Sequence, residues 1–362
     1  MMMKKRLWGE CEGKQIYLFE LDDGCGMRAR VSNYGGVLQA LWVRDAGGRA
    51  MDVVLGYDTL EEYRNDTTFF GAMIGPIADR LDGGHCVLGG HEVQLPLNAG
   101  PDSMHSGPCG FHNCVWEWEA LADGICFYHR FAPGEIGFPG NMDVYLRYRL
   151  CAPNVLRLEY AAECDCETAL SFTNHSYFNL DGGANHCRGQ RLTVYADRYA
   201  ETERDSDPIC TGRALPVEGT PFDFRGGKAL EDALCKTDFS EIRTGGGVDH
   251  YFLVGGADMR THARLESAES GLCLECASDA PGILIYTGNG LEAEPGKGGA
   301  IYRKNWAVCL ETGRFPNAVN FPELREQVLL RPGERYESAT EFRFSSDAGR
   351  CVKGRTGRKH VG

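Results

Sequence analysis

Glycine punctuates this chain: 47 of its 362 residues are Gly, nearly twice the usual ~7%. The glycines are not gathered into one linker. They recur at the ends of short runs in which apolar and polar residues alternate, as over 15–21, 27–32 and 37–44, with Asp22-Asp23-Gly24 and Asp45-Ala46-Gly47-Gly48 at the breaks. A period of two makes a half-buried strand, and Gly, Asn and Asp supply the backbone angles of the turns. The same pattern predicts strands over 142–150, 155–161, 192–196, 250–254, 272–277, 283–286, 307–311 and 336–344. One short helix is predicted over 58–63, where Asp58 and Glu61 have the spacing of a capping box. No strand–helix–strand rhythm is present, which argues against a doubly wound sheet or an α/β barrel. The expectation is an all-β, antiparallel fold with few short helices and a single large core, spanning 1–345. Residues 346–362 change character to a basic, glycine-bearing tail with too few apolar groups to offset ordering, and disorder is expected there.

Composition narrows the partners. A net charge of −13 opposes nucleic-acid binding, which needs a basic footprint. No stretch reaches the ~18 apolar residues of a membrane span. A small neutral molecule suits this balance best. The sixteen cysteines suggest a disulfide framework until their setting is considered. Lys4, Lys5 and Arg6 are not followed by an apolar signal segment, so a cytoplasmic location with reduced thiols is expected. Cys273 and Cys276, and likewise Cys164 and Cys166, fall in strand-like runs. Residues three apart on a strand face opposite ways, which is poor geometry for a shared metal.

Several polar clusters interrupt the strand pattern: Asp79-Arg80, Met104-His105-Ser106-Gly107, Gly247-Val248-Asp249-His250, the segment 173–179, and 309–316 with Glu311 in an otherwise apolar run. A histidine and a carboxylate facing one cleft form an acid–base pair, and further Arg, His and Asp groups would hold hydroxyls. That kit transfers protons on a polyhydroxylated molecule. By itself it is also compatible with a core histidine and a buried ion pair.

The motifs go further. Asn174-His175-Ser176-Tyr177-Phe178-Asn179-Leu180 resembles the NHSYFNL segment of the aldose 1-epimerase (galactose mutarotase) family. In the same order, Asn33-Tyr34-Gly35-Gly36, Gly137-Phe138-Pro139-Gly140-Asn141, Thr220-Pro221-Phe222-Asp223-Phe224-Arg225, Tyr286-Thr287-Gly288-Asn289 and Cys309-Leu310-Glu311-Thr312 are similar to further family motifs. The resemblance covers roughly 15–345 and implies a β-supersandwich. It also implies an enzyme that interconverts the α and β anomers of a free aldose without metal, nucleotide or other cofactor, acting as a monomer or homodimer. Carried over by position, Glu311 is the general base and His175 the general acid, with His105 assisting at the ring oxygen. Arg80, Asp79, Asp249 and Tyr177 would hold the sugar. A silent sugar-binding module is the alternative from another class. A glycoside hydrolase would need two carboxylates at a set separation, for which Asp249 and Glu311 are the nominees.

Four positions depart from the family pattern: Asp79, Ser106, Leu284 and Gly313 stand where Asn, Gly, Gln and Gln are usual. Asp79 is expected to pair with the Arg80 guanidinium, and Leu284 to leave a facing hydroxyl without a partner.

Overall fold

A computed structural model of the chain describes residues 2–346, with 152 and 205 excepted; the tail expected over 346–362 lies outside the described residues but for Ser346, which ends the last strand. The strands form three main antiparallel sheets. The largest has nine strands in the order Glu117–Ala120, Gly124–Phe131, Met142–Cys151, Val155–Cys164, Arg335–Ser346, Leu272–Ser278, Arg260–Glu266, Arg191–Val194 and Lys228–Ala229. In Met142–Cys151 burial alternates residue by residue along the whole strand, the signature of a sheet with one wet face. A six-stranded sheet runs Tyr177–Phe178, Val308–Gly313, Gly282–Tyr286, Asp249–Leu253, Arg198–Glu203 and Ile209–Pro216. The third has five strands, beginning with Met2–Cys11 and Lys14–Asp22.

Aromatic side chains join the layers. Phe178 meets Phe342 at 4.7 Å between ring centroids, closing the six-stranded sheet onto the nine-stranded one. Phe19 meets Trp118 at 4.8 Å and Phe127 at 5.8 Å, which docks the five-stranded sheet on the same large sheet. Buried rings of this size dominate the apolar area removed from water, at roughly 25 cal/mol per Å².

Two local expectations are corrected. The short helix is Leu60–Arg64, and its capping box is Thr59 with Glu62: the Thr59 hydroxyl accepts from the Glu62 N–H at 3.3 Å and the Glu62 carboxylate accepts from the Thr59 N–H at 2.9 Å. Asp58 instead accepts from the Gly298 N–H at 2.7 Å. The strand Met2–Cys11 was not predicted, for a physical reason. It is the sheet's edge and is exposed on both faces over most of its length, so no apolar alternation marks it. It joins Lys14–Asp22 through Glu12-Gly13, both at positive φ as a tight hairpin requires.

Lys297 braces the molecule from within. Its buried ammonium donates to the Gln39 carbonyl at 2.8 Å, the Val54 carbonyl at 2.7 Å and the Asp52 carboxylate at 2.6 Å. The segment carrying Gly290, Leu291 and Glu294 is thereby tied to the five-stranded sheet.

All fifteen cysteines among the described residues are unpaired, nine of them buried in the apolar interior. Titration of the denatured, unreduced protein with a thiol reagent should therefore find most of the sixteen reactive. A count near zero would mean an oxidised, disulfide-linked chain.

Candidate active site

The floor of the site follows from one strand that is buried on both faces. Val308, Leu310 and Thr312 point into the core, so Cys309, Glu311 and Gly313 point the other way, and all six are buried. Cross-strand pairing extends this second face. Glu311 lies opposite Leu284, and Leu284 opposite Tyr251; Cys309 lies opposite Tyr286 and Tyr177, and Tyr286 opposite Asp249. The floor therefore carries Glu311, Asp249, Tyr177, Tyr286 and Leu284 on four adjacent strands. Above it is a cleft of about 240 Å³ whose walls include Phe69, Asp79, Arg80, His105 and His175.

His175 is delivered by backbone bonds rather than by a long strand. It sits between the two-residue strands Thr173–Asn174 and Tyr177–Phe178. Its N–H donates to the Ala72 carbonyl and its carbonyl accepts from the Gly71 N–H, both at 2.9 Å. Gly71 has φ +66°, and a Cβ there would stand 2.2 Å from the Leu38 carbonyl oxygen, so no other residue fits beside His175. The amides of the motif serve the scaffold: Asn174 donates to the Gly71 carbonyl at 2.9 Å and Asn179 to the Trp306 carbonyl at 2.6 Å.

His175 Nε2 is 3.6 Å from Glu311 Oε1, with 5% and 6% of each residue exposed. Burial pulls the His175 imidazole down to about 4, and His112 pushes it the same way. Burial pushes the Glu311 carboxyl well above its usual range, and the charges of Asp79 and Asp249 add to that. His105 stands perpendicular to His175 at 5.3 Å between centroids. Its Nδ1 accepts from the Asp79 N–H at 3.1 Å, which leaves the neutral ring's proton on Nε2. Burial, with His175, His112 and Arg80 in support, holds His105 well below the ordinary imidazole range. Asp249 is raised to about 7 by burial and by Asp79, against the opposing pull of Arg80.

The cleft thus gathers every expected site residue, with two refinements. Tyr177 lines the cleft, but its hydroxyl donates to the Thr68 carbonyl at 2.9 Å and is committed to holding that loop. Asp79 does not pair with the Arg80 guanidinium. Its Oδ1 accepts from the Arg80 backbone N–H at 2.7 Å, while the guanidinium donates to the Ala99 carbonyl at 3.3 Å and lies 3.8 Å from Asp207. Of the four departing positions, only Asp79 and Leu284 line the cleft. The Ser106 hydroxyl is spent on the backbone of Ile77, and the Gly313 carbonyl accepts from Tyr251.

Sequence reasoning missed Phe69, Tyr286 as a floor residue, and Cys309, whose Sγ is 3.6 Å from His175 Nδ1. Alternation with Glu311 on one strand was the available signal for Cys309; Phe69 had none. His175, Cys309 and Glu311 bring ligand atoms within 4.8 Å of one another and so could hold a cation. Burial raises both the thiol and the carboxyl, which disfavours the deprotonated forms a metal would need.

Known proteins resemble the chain in sequence and in fold. The family model described as aldose 1-epimerase matches residues 17–343. The galactose mutarotase of Homo sapiens is 39% identical over 336 residues, which is 92% of this chain and 95% of that protein. The aldose 1-epimerase of Escherichia coli is 31% identical over 341 residues, 93% of this chain and 97% of that one. Among solved structures, an aldose epimerase homologue from C. elegans superposes with a TM-score of 0.83 at 29% identity, covering 91% of this chain and 98% of its own. Galactose 1-epimerase from Lactobacillus acidophilus gives 0.82 at 26% identity, covering 95% and 99%. With the match spanning residues 17–343 and relatives of 31–39% identity covering nearly all of the chain, the chain belongs to the aldose 1-epimerase family.

Proposed function

We propose that the protein is a mutarotase, interconverting the α and β anomers of a free aldose with Glu311 as base and His175 as acid. The observation that carries this is the buried pair itself, 3.6 Å apart across a polar cleft. Burial drives each partner toward its neutral form, so across a broad pH range the two share one titratable proton. Hydroxyls entering the cleft hydrogen-bond the carboxylate and favour the arrangement with that proton on His175. Glu311 then takes the proton of the anomeric hydroxyl while His175 gives its own to the ring oxygen. The bond from C1 to the ring oxygen breaks as the C1 carbonyl forms. After rotation about C1–C2 the roles reverse on the other face of the aldehyde. His105, neutral with its proton on Nε2, donates toward the ring oxygen, and Arg80 and Asp249 hold hydroxyls. No metal, nucleotide or covalent intermediate enters this scheme. The free thiols favour a cytoplasmic setting.

Polarimetry of a freshly dissolved α-aldose tests the assignment. Wild-type protein should accelerate mutarotation, and Glu311→Gln and His175→Asn should each lower the rate about 100-fold or more with the circular dichroism unchanged. A Glu311→Gln enzyme keeping half of wild-type turnover would overturn the choice of base.

The pH profile follows from the shared proton. Below the His175 value of about 4 both groups are protonated and no base remains; above the raised Glu311 value neither is, and no acid remains. A plot of kcat/KM against pH should be bell-shaped, with an acid limb well below the ordinary imidazole value of ~6.5. An acid limb at that ordinary value would show that His175 is solvated.

Specificity turns on Leu284, whose apolar side chain lies on the floor beside Glu311. A hydroxyl facing it is unpaired, at ~1–3 kcal/mol, or roughly one to two orders of magnitude in selectivity. Among galactose, glucose, fucose, xylose and arabinose, efficiency should peak at a sugar that lacks that hydroxyl or orients it differently. A clear optimum at galactose would show that Leu284 does not face the substrate.

A further inference from the structure

Phe69 is held in a conformation that a bulky residue rarely adopts, with φ +61°. Such backbone is strained and persists only where the surroundings impose it. Here they do. Asp66 accepts from the Thr68 N–H at 2.6 Å and the Phe70 N–H at 3.0 Å, and receives the Tyr57 hydroxyl at 3.0 Å. Tyr177 donates to the Thr68 carbonyl at 2.9 Å, and the Phe69 carbonyl accepts from the Ala72 N–H at 3.1 Å. Asp79, His105 and Ser106 also have positive φ, so among the described residues four of the ten non-glycine residues with positive φ lie at or next to the cleft.

What this strained loop delivers is a single ring among three imidazoles. The Phe69 centroid is 4.7 Å from His105 and 4.9 Å from His112, both nearly perpendicular, and 5.8 Å from His175. His112 Nδ1 is buried without a partner, which its environment allows only while the ring stays neutral. We infer that Phe69 is a positioning residue for the acid–base machinery: its strained loop wedges the ring among His105, His112 and His175 to orient these imidazoles and keep water off them.

His175 also faces Glu311 and Cys309, with Tyr177 and Tyr286 beside it. His105 faces His175 and the Asp79 backbone, with Arg80 nearby. Across the cleft stand Asp79 and Asp249, whose negative charge would favour imidazolium. The low positions of His175 and His112, each about 4, therefore depend on exclusion of water, and Phe69 is the apolar group common to all three rings.

Removing the ring separates this role from packing. NMR titration of the histidine Cε1–H resonances in the full-length protein should show the His105 and His175 midpoints rising by about one pH unit or more in Phe69→Ala and Phe69→Gly. Phe69→Leu, which keeps an apolar cover, should stay close to wild type. Because glycine tolerates the backbone angle, Phe69→Gly should melt no lower than Phe69→Ala despite the same titration shift. The acid limb of kcat/KM should move up in step with the midpoints. Unchanged His105 and His175 midpoints in both the Gly and Ala proteins would overturn the inference. The kinetic arm rests on the mutarotase reading, but the NMR arm does not: a wild-type protein without mutarotation would sink that reading and leave the titration to decide the role of Phe69.

Discussion

Desolvation of a single proton-sharing pair is the constraint on which the rest of this molecule turns. A carboxyl and an imidazole at 5–6% exposure would each be costly to bury charged, and together they settle into a state with one proton between them. That state needs a surround of apolar and hydrogen-bonded groups that limits the contact of the pair with bulk water. Every sheet contributes to it. The six-stranded sheet gives the floor and the loops above it the imidazoles, while the five-stranded sheet anchors one wall through Lys297. The nine-stranded sheet stiffens the floor from behind through contacts such as Phe178 with Phe342.

Several of the family motifs serve the scaffold and make no direct approach to the cleft. Asn33 donates to the Gln15 and Trp116 carbonyls, Asn289 to the Val248 carbonyl just before Asp249, and Asp223 is paired with Arg225. Each fixes a turn of the scaffold, and the Asn289 bond does so next to Asp249. Amides and carboxylates in turns are the least expensive way to satisfy backbone groups that no ladder can reach. Arg314, which the sequence places near the base, lies over Tyr336 and does not line the cleft.

Most of the architecture was legible from the chain because one face of most strands is wet and alternation survives there. Strands such as Met142–Cys151 and Leu272–Ser278 fall where the periodicity put them, to within a residue or two. The failures have local causes. Met2–Cys11 is exposed on both faces over most of its length, and the helix cap slid by one residue because Asp58 and Thr59 offer the same side-chain chemistry. Within the cleft, His175, Glu311, His105, Arg80 and Asp249 could be found from motifs. Phe69 could not, since a left-handed backbone at a phenylalanine leaves no trace in composition or spacing. The partners of Asp79 and Ser106 were equally hidden, being backbone groups selected by the same unusual angles.

The strand Val308–Gly313 carries one further consequence, for folding fidelity. Its register against Gly282–Tyr286 puts Glu311 toward the cleft and Leu310 toward the core. A slip of one residue would exchange the two faces and drive the carboxyl into the aromatic and aliphatic interior with no partner. The misaligned strand pair would be heavily penalised before the sandwich could close. The residue assigned to chemistry thus doubles as a check on assembly. A substitution that removes its charge would relax the discrimination between correct and shifted pairings while the chain is folding, apart from any effect on rate.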